Sequence, residues 1–148
     1  MFNLNMVRGA GFKPRTVTVC PPSPLHILMV EDDEADAHLI RRLLSEHPRI
    51  GNVIRAVDGV EALQMLHVGV NPDLAFIDLQ MPRMNGFTLV KEIQSRQLSF
   101  PMIVLTSQSA PTEMERRSLR PAKEILSKPE TVLQMRRVIA AAIERVAA

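Results

Sequence analysis

Leu25-His26-Ile27-Leu28-Met29-Val30-Glu31-Asp32-Asp33 decides how this chain is read. An apolar run, interrupted only by His26, leads straight into three acids. Such a run suits a strand covered on both faces, as in a parallel sheet. The pattern recurs downstream. Val53–Val57 runs into Asp58-Gly59, Leu74–Ile77 ends on Asp78, Met102–Leu105 on Thr106, and Glu124–Ser127 on Lys128.

Helical patterns separate these strands. Leu39, Ile40, Leu43 and Leu44 form a stripe ending before Pro48 and Gly51. Val60, Leu63 and Leu66 predict a short helix, and Phe87, Val90 and Ile93 another that starts after Gly86. A polar helix is expected from about Pro111 to Leu119, broken by Pro121. The last runs over Glu130–Val146, with Leu133, Val138, Ile139 and Val146 on its apolar side. Five β–α units in a row, joined by right-handed crossovers, predict an α/β fold with helices on both faces of a parallel sheet.

The 148 residues suit one domain, and 46% apolar residues can supply its core. With aromatics at 3% and no Trp or Tyr, that core rests on Leu, Ile, Val and Met. Cys20 is the single cysteine, which excludes an internal disulfide and points to a reducing, cytoplasmic compartment. No apolar run is long enough to span a bilayer. Residues 1–24 contain Pro14, Pro21, Pro22 and Pro24 without periodicity and read as a flexible leader; 25–148 form the domain, with no output domain expected after it. The net charge of +2 is uneven: the leader has Arg8, Lys13 and Arg15 and no acid, leaving 15 basic and 16 acidic residues for the rest. The pI is therefore a poor argument for nucleic-acid binding, and no DNA-binding motif is evident.

Strand C-termini of an open parallel sheet share one edge, so Glu31, Asp32, Asp78, Thr106 and Lys128 are expected to converge. Each has a plainer reading. Glu31-Asp32-Asp33 could be a solvated helix start, Asp78 a turn aspartate, Thr106 a helix cap and Lys128 a surface lysine. Together they offer three carboxylates, a hydroxyl and an ammonium, the groups needed to hold Mg²⁺ and move a phosphoryl group onto an aspartate.

These residues, with Asp58-Gly59-Val60-Glu61-Ala62-Leu63 and Asp78-Leu79-Gln80-Met81-Pro82-Arg83-Met84-Asn85-Gly86, resemble the receiver domain of two-component response regulators over about Leu25 to Val146. Single-domain members, including chemotaxis-type and phytochrome-partner regulators, are the most similar in layout. The resemblance implies a flavodoxin-like (βα)5 fold with strand order 2-1-3-4-5 and the site at its switch point. It implies that Asp78 accepts a phosphoryl group from a sensor histidine kinase or phosphotransfer protein. Glu31, Asp32, Asp78 and the main-chain carbonyl of Gln80 would hold Mg²⁺, and Thr106 and Lys128 would contact the phosphoryl oxygens. It also implies a cis Lys128–Pro129 peptide bond, and an output face for a protein target formed by residues 107–123 and the last helix. The same face is the candidate surface for a homodimer.

The chain departs from the family pattern at Ile125, where an aromatic residue is usual. It also departs at Arg116-Arg117-Ser118-Leu119-Arg120-Pro121-Ala122-Lys123, which is basic where a Gly-Ala turn is common. That segment reads either as a solvated helix end or as a docking patch for an acidic partner. Gln80 and Gln108, two residues beyond Asp78 and Thr106, stand where the family tunes acyl-phosphate lifetime. His26, His38, His47 and His67 lack metal-ligand spacing. An aspartate-nucleophile phosphohydrolase would usually carry a second Asp where Gln80 stands. A receiver-like interaction module regulated without phosphate is the remaining alternative.

Overall fold

A computed structural model describes residues 20–107 and 110–147. The five strands are β1 (Leu25–Val30), β2 (Ile50–Ala56), β3 (Leu74–Asp78), β4 (Met102–Thr106) and β5 (Glu124–Ser127). They alternate with α1 (Glu34–Glu46), α2 (Gly59–His67), α3 (Gly86–Ser95), α4 (Glu113–Ser118) and α5 (Val132–Ala147). All neighbouring strands pair in parallel, in the order β2-β1-β3-β4-β5. This is the flavodoxin-like arrangement.

Side-chain alternation along the strands builds two cores. Ile27, Met29, Phe76, Ile103 and Leu105 face α1 and α5, where they meet Ile40, Leu44, Ile139 and Ile143. Leu28, Val30, Ala75, Ile77 and Val104 face the other side and meet Leu63, Leu66, Leu89, Val90 and Ile93. β3 and β4 are buried along their whole length, and β1 from Ile27 to Val30. Each helix start has its own cap. Asp33, Asp58 and Asn85 accept from the amides of Asp36, Glu61 and Thr88, and Thr112 with Glu115 forms a capping box on α4. Among the helices α4 is the least anchored: it buries no residue of its own and is held by Leu119 just beyond it.

Several boundaries differ from expectation. β2 begins at Ile50 rather than Val53, because Ile50 pairs with Leu25 at the sheet edge while Gly51 and Asn52 lie exposed. α4 is shorter than Pro111–Leu119, since Thr112 is its cap. α5 starts at Val132, after Thr131 Oγ1 accepts from the Gln134 amide. Leu133 points outward, 54% exposed, and the buried stripe of α5 is Met135, Ile139, Ala142 and Ile143. The Lys128–Pro129 peptide is trans, correcting the expectation of a cis bond. Trans is the lower-energy isomer by about 0.5–1 kcal/mol, and in this geometry the Lys128 amide already donates to the Thr106 carbonyl at 2.7 Å. Cys20–Pro24 has neither helix nor strand, and the rest of the expected leader lies outside the described residues.

Candidate functional site

The chain order β1, β3, β4, β5 brings four strand ends to one edge beside the topological switch point. Glu31, Asp32 and Asp78 each place a carboxylate oxygen within 4.8 Å of the others. Glu31, Asp78 and Thr106 are buried, whereas Asp32 is open to solvent. Lys128 reaches into this cluster from the end of β5. Its Nζ donates to Glu31 Oε2 at 2.6 Å and Asp36 Oδ2 at 2.9 Å, and lies 3.7 Å from Asp78 Oδ2. The Gln80 amide lies 3.4 Å from Asp78 Oδ1. Thr106 ends β4 opposite Ser127. Gln108 lies outside the described residues.

The electrostatics follow from burial. Burial pushes the Glu31 carboxyl up to about 7; Lys128 opposes this and the nearby Asp78 adds to it. Asp78 is also raised, first by burial, with Asp32 adding to it against the pull of Lys128 and the Gln80 amide. Burial would lower Lys128, but Glu31, Asp36 and Asp78 hold its ammonium well above the ordinary value. One ammonium thus faces more carboxylates than it can neutralise. A hard divalent cation would relieve that imbalance, and an all-oxygen donor set suits Mg²⁺. The residues present therefore fit a magnesium ion.

The surroundings keep the acids in place. Arg55 of β2 donates to the main-chain oxygens of Glu31 (3.0 Å) and Asp32 (3.2 Å) and pairs with Glu34 (2.7 Å). Across the pocket, the loop from β3 to α3 is clamped to the start of α2. Arg83, at φ +62°, donates to Asp58 Oδ2, and the Gly59 amide donates to the Met84 carbonyl at 3.3 Å. Burial disfavours the Asp58 charge, but the Glu61 amide, Arg83 and the Val60 amide outweigh it and hold the carboxyl below its ordinary value. Gly86 presses against the backbone of Asp78: a Cβ there would sit 2.4 Å from the Asp78 carbonyl oxygen.

Sequence reasoning named Glu31, Asp32, Asp78 and Lys128, which the fold brings together, and Thr106, which it buries at the end of β4. It missed Asp36, Arg55 and the Asp58–Arg83 pair. Asp36 had a signal, an acid three residues after the α1 cap, but that position equally suits a helix start. Arg55 and Arg83 pair over 21 and 25 residues of sequence, which no local pattern encodes. Ile125 packs, partly buried, against the core on the α2–α3 side.

Comparison with known proteins agrees with this geometry. The family model described as the response regulator receiver domain matches residues 27–140. The two-component response regulator ORR3 of Oryza sativa subsp. indica is 35% identical over 117 residues, covering 77% of this chain and 86% of that protein. The sensor histidine kinase CheAY of Helicobacter pylori is 31% identical over 111 residues, covering 73% of this chain but 14% of the kinase. The chain likewise spans 38% of the response regulator MprA of Mycobacterium. Among solved structures, the phosphorylated cyanobacterial phytochrome response regulator RcpA superposes with a TM-score of 0.76 at 24% identity, covering 85% of this chain and 96% of that one. The Mn²⁺-bound response regulator Rcp1 gives 0.70 at 25% identity, covering 81% and 92%. With the family model matching most of its length, the chain belongs to the response regulator receiver domain family.

Proposed function

We propose that this chain is a cytoplasmic response regulator receiver that accepts a phosphoryl group on Asp78. In the transfer an Asp78 carboxylate oxygen attacks the phosphorus of a phosphohistidine on a histidine kinase or phosphotransfer protein. The P–O bond forms as the P–N bond breaks, and the imidazole leaves. Lys128, already 3.7 Å from Asp78, draws the transferred oxygens and neutralises their charge. Thr106 donates its hydroxyl to one of them. Glu31, Asp32, Asp78 and the Gln80 carbonyl would hold Mg²⁺, which offsets the charge gathered on the acids and the phosphoryl group. The chain catalyses only its own phosphorylation and dephosphorylation.

The observation that carries this reading is the grouping of three carboxylates within 4.8 Å at the strand edge, with the Lys128 ammonium among them. The added charge on Asp78 would draw Thr106 inward and shift the loop after β4. That biases the face made by residues 107–123 and α5 toward its protein target. Intact mass after exposure to a small phosphodonor with Mg²⁺ tests the reading. One added phosphoryl group is expected, absent in Asp78→Asn and without metal; label persisting in Asp78→Asn would sink it.

Ile125 favours a second reading, a receiver-like interaction module that works without phosphate. Its aliphatic side chain packs against the α2–α3 core and has no ring to relocate when Thr106 moves. Equal partner affinity for the phosphorylated and unphosphorylated chain would support this alternative.

A further inference from the structure

Between α3 and α4 runs a groove of about 470 Å³ whose walls include Phe87, Thr88, Lys91, Arg117, Arg120 and Pro121. Among the described residues no carboxylate lines it. Lys91 and Arg120 have no ion pair or side-chain hydrogen bond among the described residues. Among the described residues Arg117 pairs with Glu113 alone, one turn away at 3.4 Å with both side chains exposed, a weak and easily exchanged contact. On other surfaces Arg96 and Arg145 each face a glutamate, and Arg42 and Arg136 share Glu46. The groove therefore concentrates uncompensated positive charge beside a half-buried aromatic ring and a proline.

We infer that this groove docks an acidic segment of a partner protein, one carrying an apolar side chain among its carboxylates. The cations would receive the carboxylates, and Phe87 with Pro121 would receive the apolar side chain. Nucleic acid fits less well. Tight binding to a polynucleotide takes on the order of six to ten phosphate contacts, and this groove offers three cations and one partly covered ring for stacking. The basic stretch from Arg116 to Lys123 supplies one wall of the groove, and α3 supplies the other. Docking is read on the unphosphorylated chain, so this inference and phosphorylation at Asp78 can fail separately.

The test is a titration of the full chain with a short synthetic peptide of alternating Glu and Leu, followed by backbone amide NMR and by fluorescence anisotropy at low salt. Shifts are expected at Phe87, Thr88, Lys91, Arg117 and Arg120. Lys91→Glu with Arg120→Glu should weaken binding about tenfold, and added salt should weaken it further. Arg42→Glu with Arg96→Glu changes net charge equally, on α1 and at the α2–α3 side, and should leave affinity within about twofold. Equal weakening by both double variants, or shifts spread over the surface, would overturn the inference. So would tighter binding of an oligouridylate to the same groove.

Discussion

Replacing Gly86 by alanine should damage the site from behind. Gly86 begins α3, and its amide donates to the Leu79 carbonyl at 3.0 Å. A Cβ there would lie 2.4 Å from the Asp78 carbonyl oxygen, 2.8 Å from Leu79 Cα and 3.1 Å from the Asp78 carbonyl carbon. Carbon and oxygen in contact normally stand about 3.3–3.6 Å apart, so the backbones must separate by roughly 1 Å. All three atoms are backbone, so no side-chain rotation can relieve the clash. Overpacking of this kind costs about 1–3 kcal/mol, offset by up to about 1 kcal/mol from alanine's helix propensity. A net loss of about 2 kcal/mol should lower Tm by roughly 4–8 °C in a domain of this size. The atoms that move belong to the proposed phosphoacceptor, and a misplacement of about 1 Å can slow a reaction on the order of a hundredfold. The assay pairs thermal unfolding with the rate of phosphorylation from a small donor. Gly69→Ala is the comparison: its φ of +106° gives a strain of about 1–2 kcal/mol, but nothing lies within 4 Å of the new Cβ. It should lose stability and keep its rate. A Gly86→Ala protein phosphorylated as fast as Gly69→Ala would mean that the close approach of Gly86 does not set the position of Asp78.

Other expectations follow from the same contacts. Asp36→Asn removes one of the carboxylates holding Lys128, so phosphorylation from a small donor should quicken a few-fold while Asp36→Glu stays near the parent rate; a slower Asp36→Asn would contradict the tether. Asp58 is held below its ordinary value, so its contribution to stability is full above pH 3.8 and is lost as pH falls through the folded value. Unfolding free energies of the parent and Arg83→Met from urea titration should therefore differ by about 0.5–1 kcal/mol near neutrality and converge in acid, and a constant gap would show that the pair carries none of the difference. Glu31 has the opposite sign: its folded value, near 7, exceeds the unfolded 4.5, so the metal-free chain should lose stability as pH rises from 4.5 through about 7. Glu31→Gln should flatten that limb of the Tm profile, and an unchanged limb would remove Glu31 as its cause.

Much of the fold was legible because doubly covered strands write themselves as apolar runs. β1 and β5 begin and end where the sequence places them, and β3 and β4 gain only the polar residue that ends each. The edge strand β2 was harder: Gly51 and Asn52 are exposed, and only the pairing of Ile50 with Leu25 extends it. At the start of α5 the apolar pattern misled, since Leu133 is more than half exposed while Met135 and Ala142 are buried. The convergence of Glu31, Asp32, Asp78 and Lys128 could be read because parallel topology alone sends strand ends to one edge. Asp36 could not be told from an ordinary helix-start acid. Arg55 and Arg83 depend on which loops meet across the switch point, a tertiary fact. The trans Lys128–Pro129 bond likewise depends on local energetics that family likeness did not anticipate.

The most direct measurement is a crystal structure of the chain with Mg²⁺ and beryllium fluoride, a stable mimic of an aspartyl phosphate. Beryllium should be bonded to an Asp78 carboxylate oxygen, its fluorines touching the Thr106 hydroxyl and Lys128 Nζ. A cation should lie among Glu31, Asp32, Asp78 and the Gln80 carbonyl. Beryllium fluoride bound at another carboxylate, or Lys128 still paired with Asp36 and turned from an occupied Asp78, would contradict it.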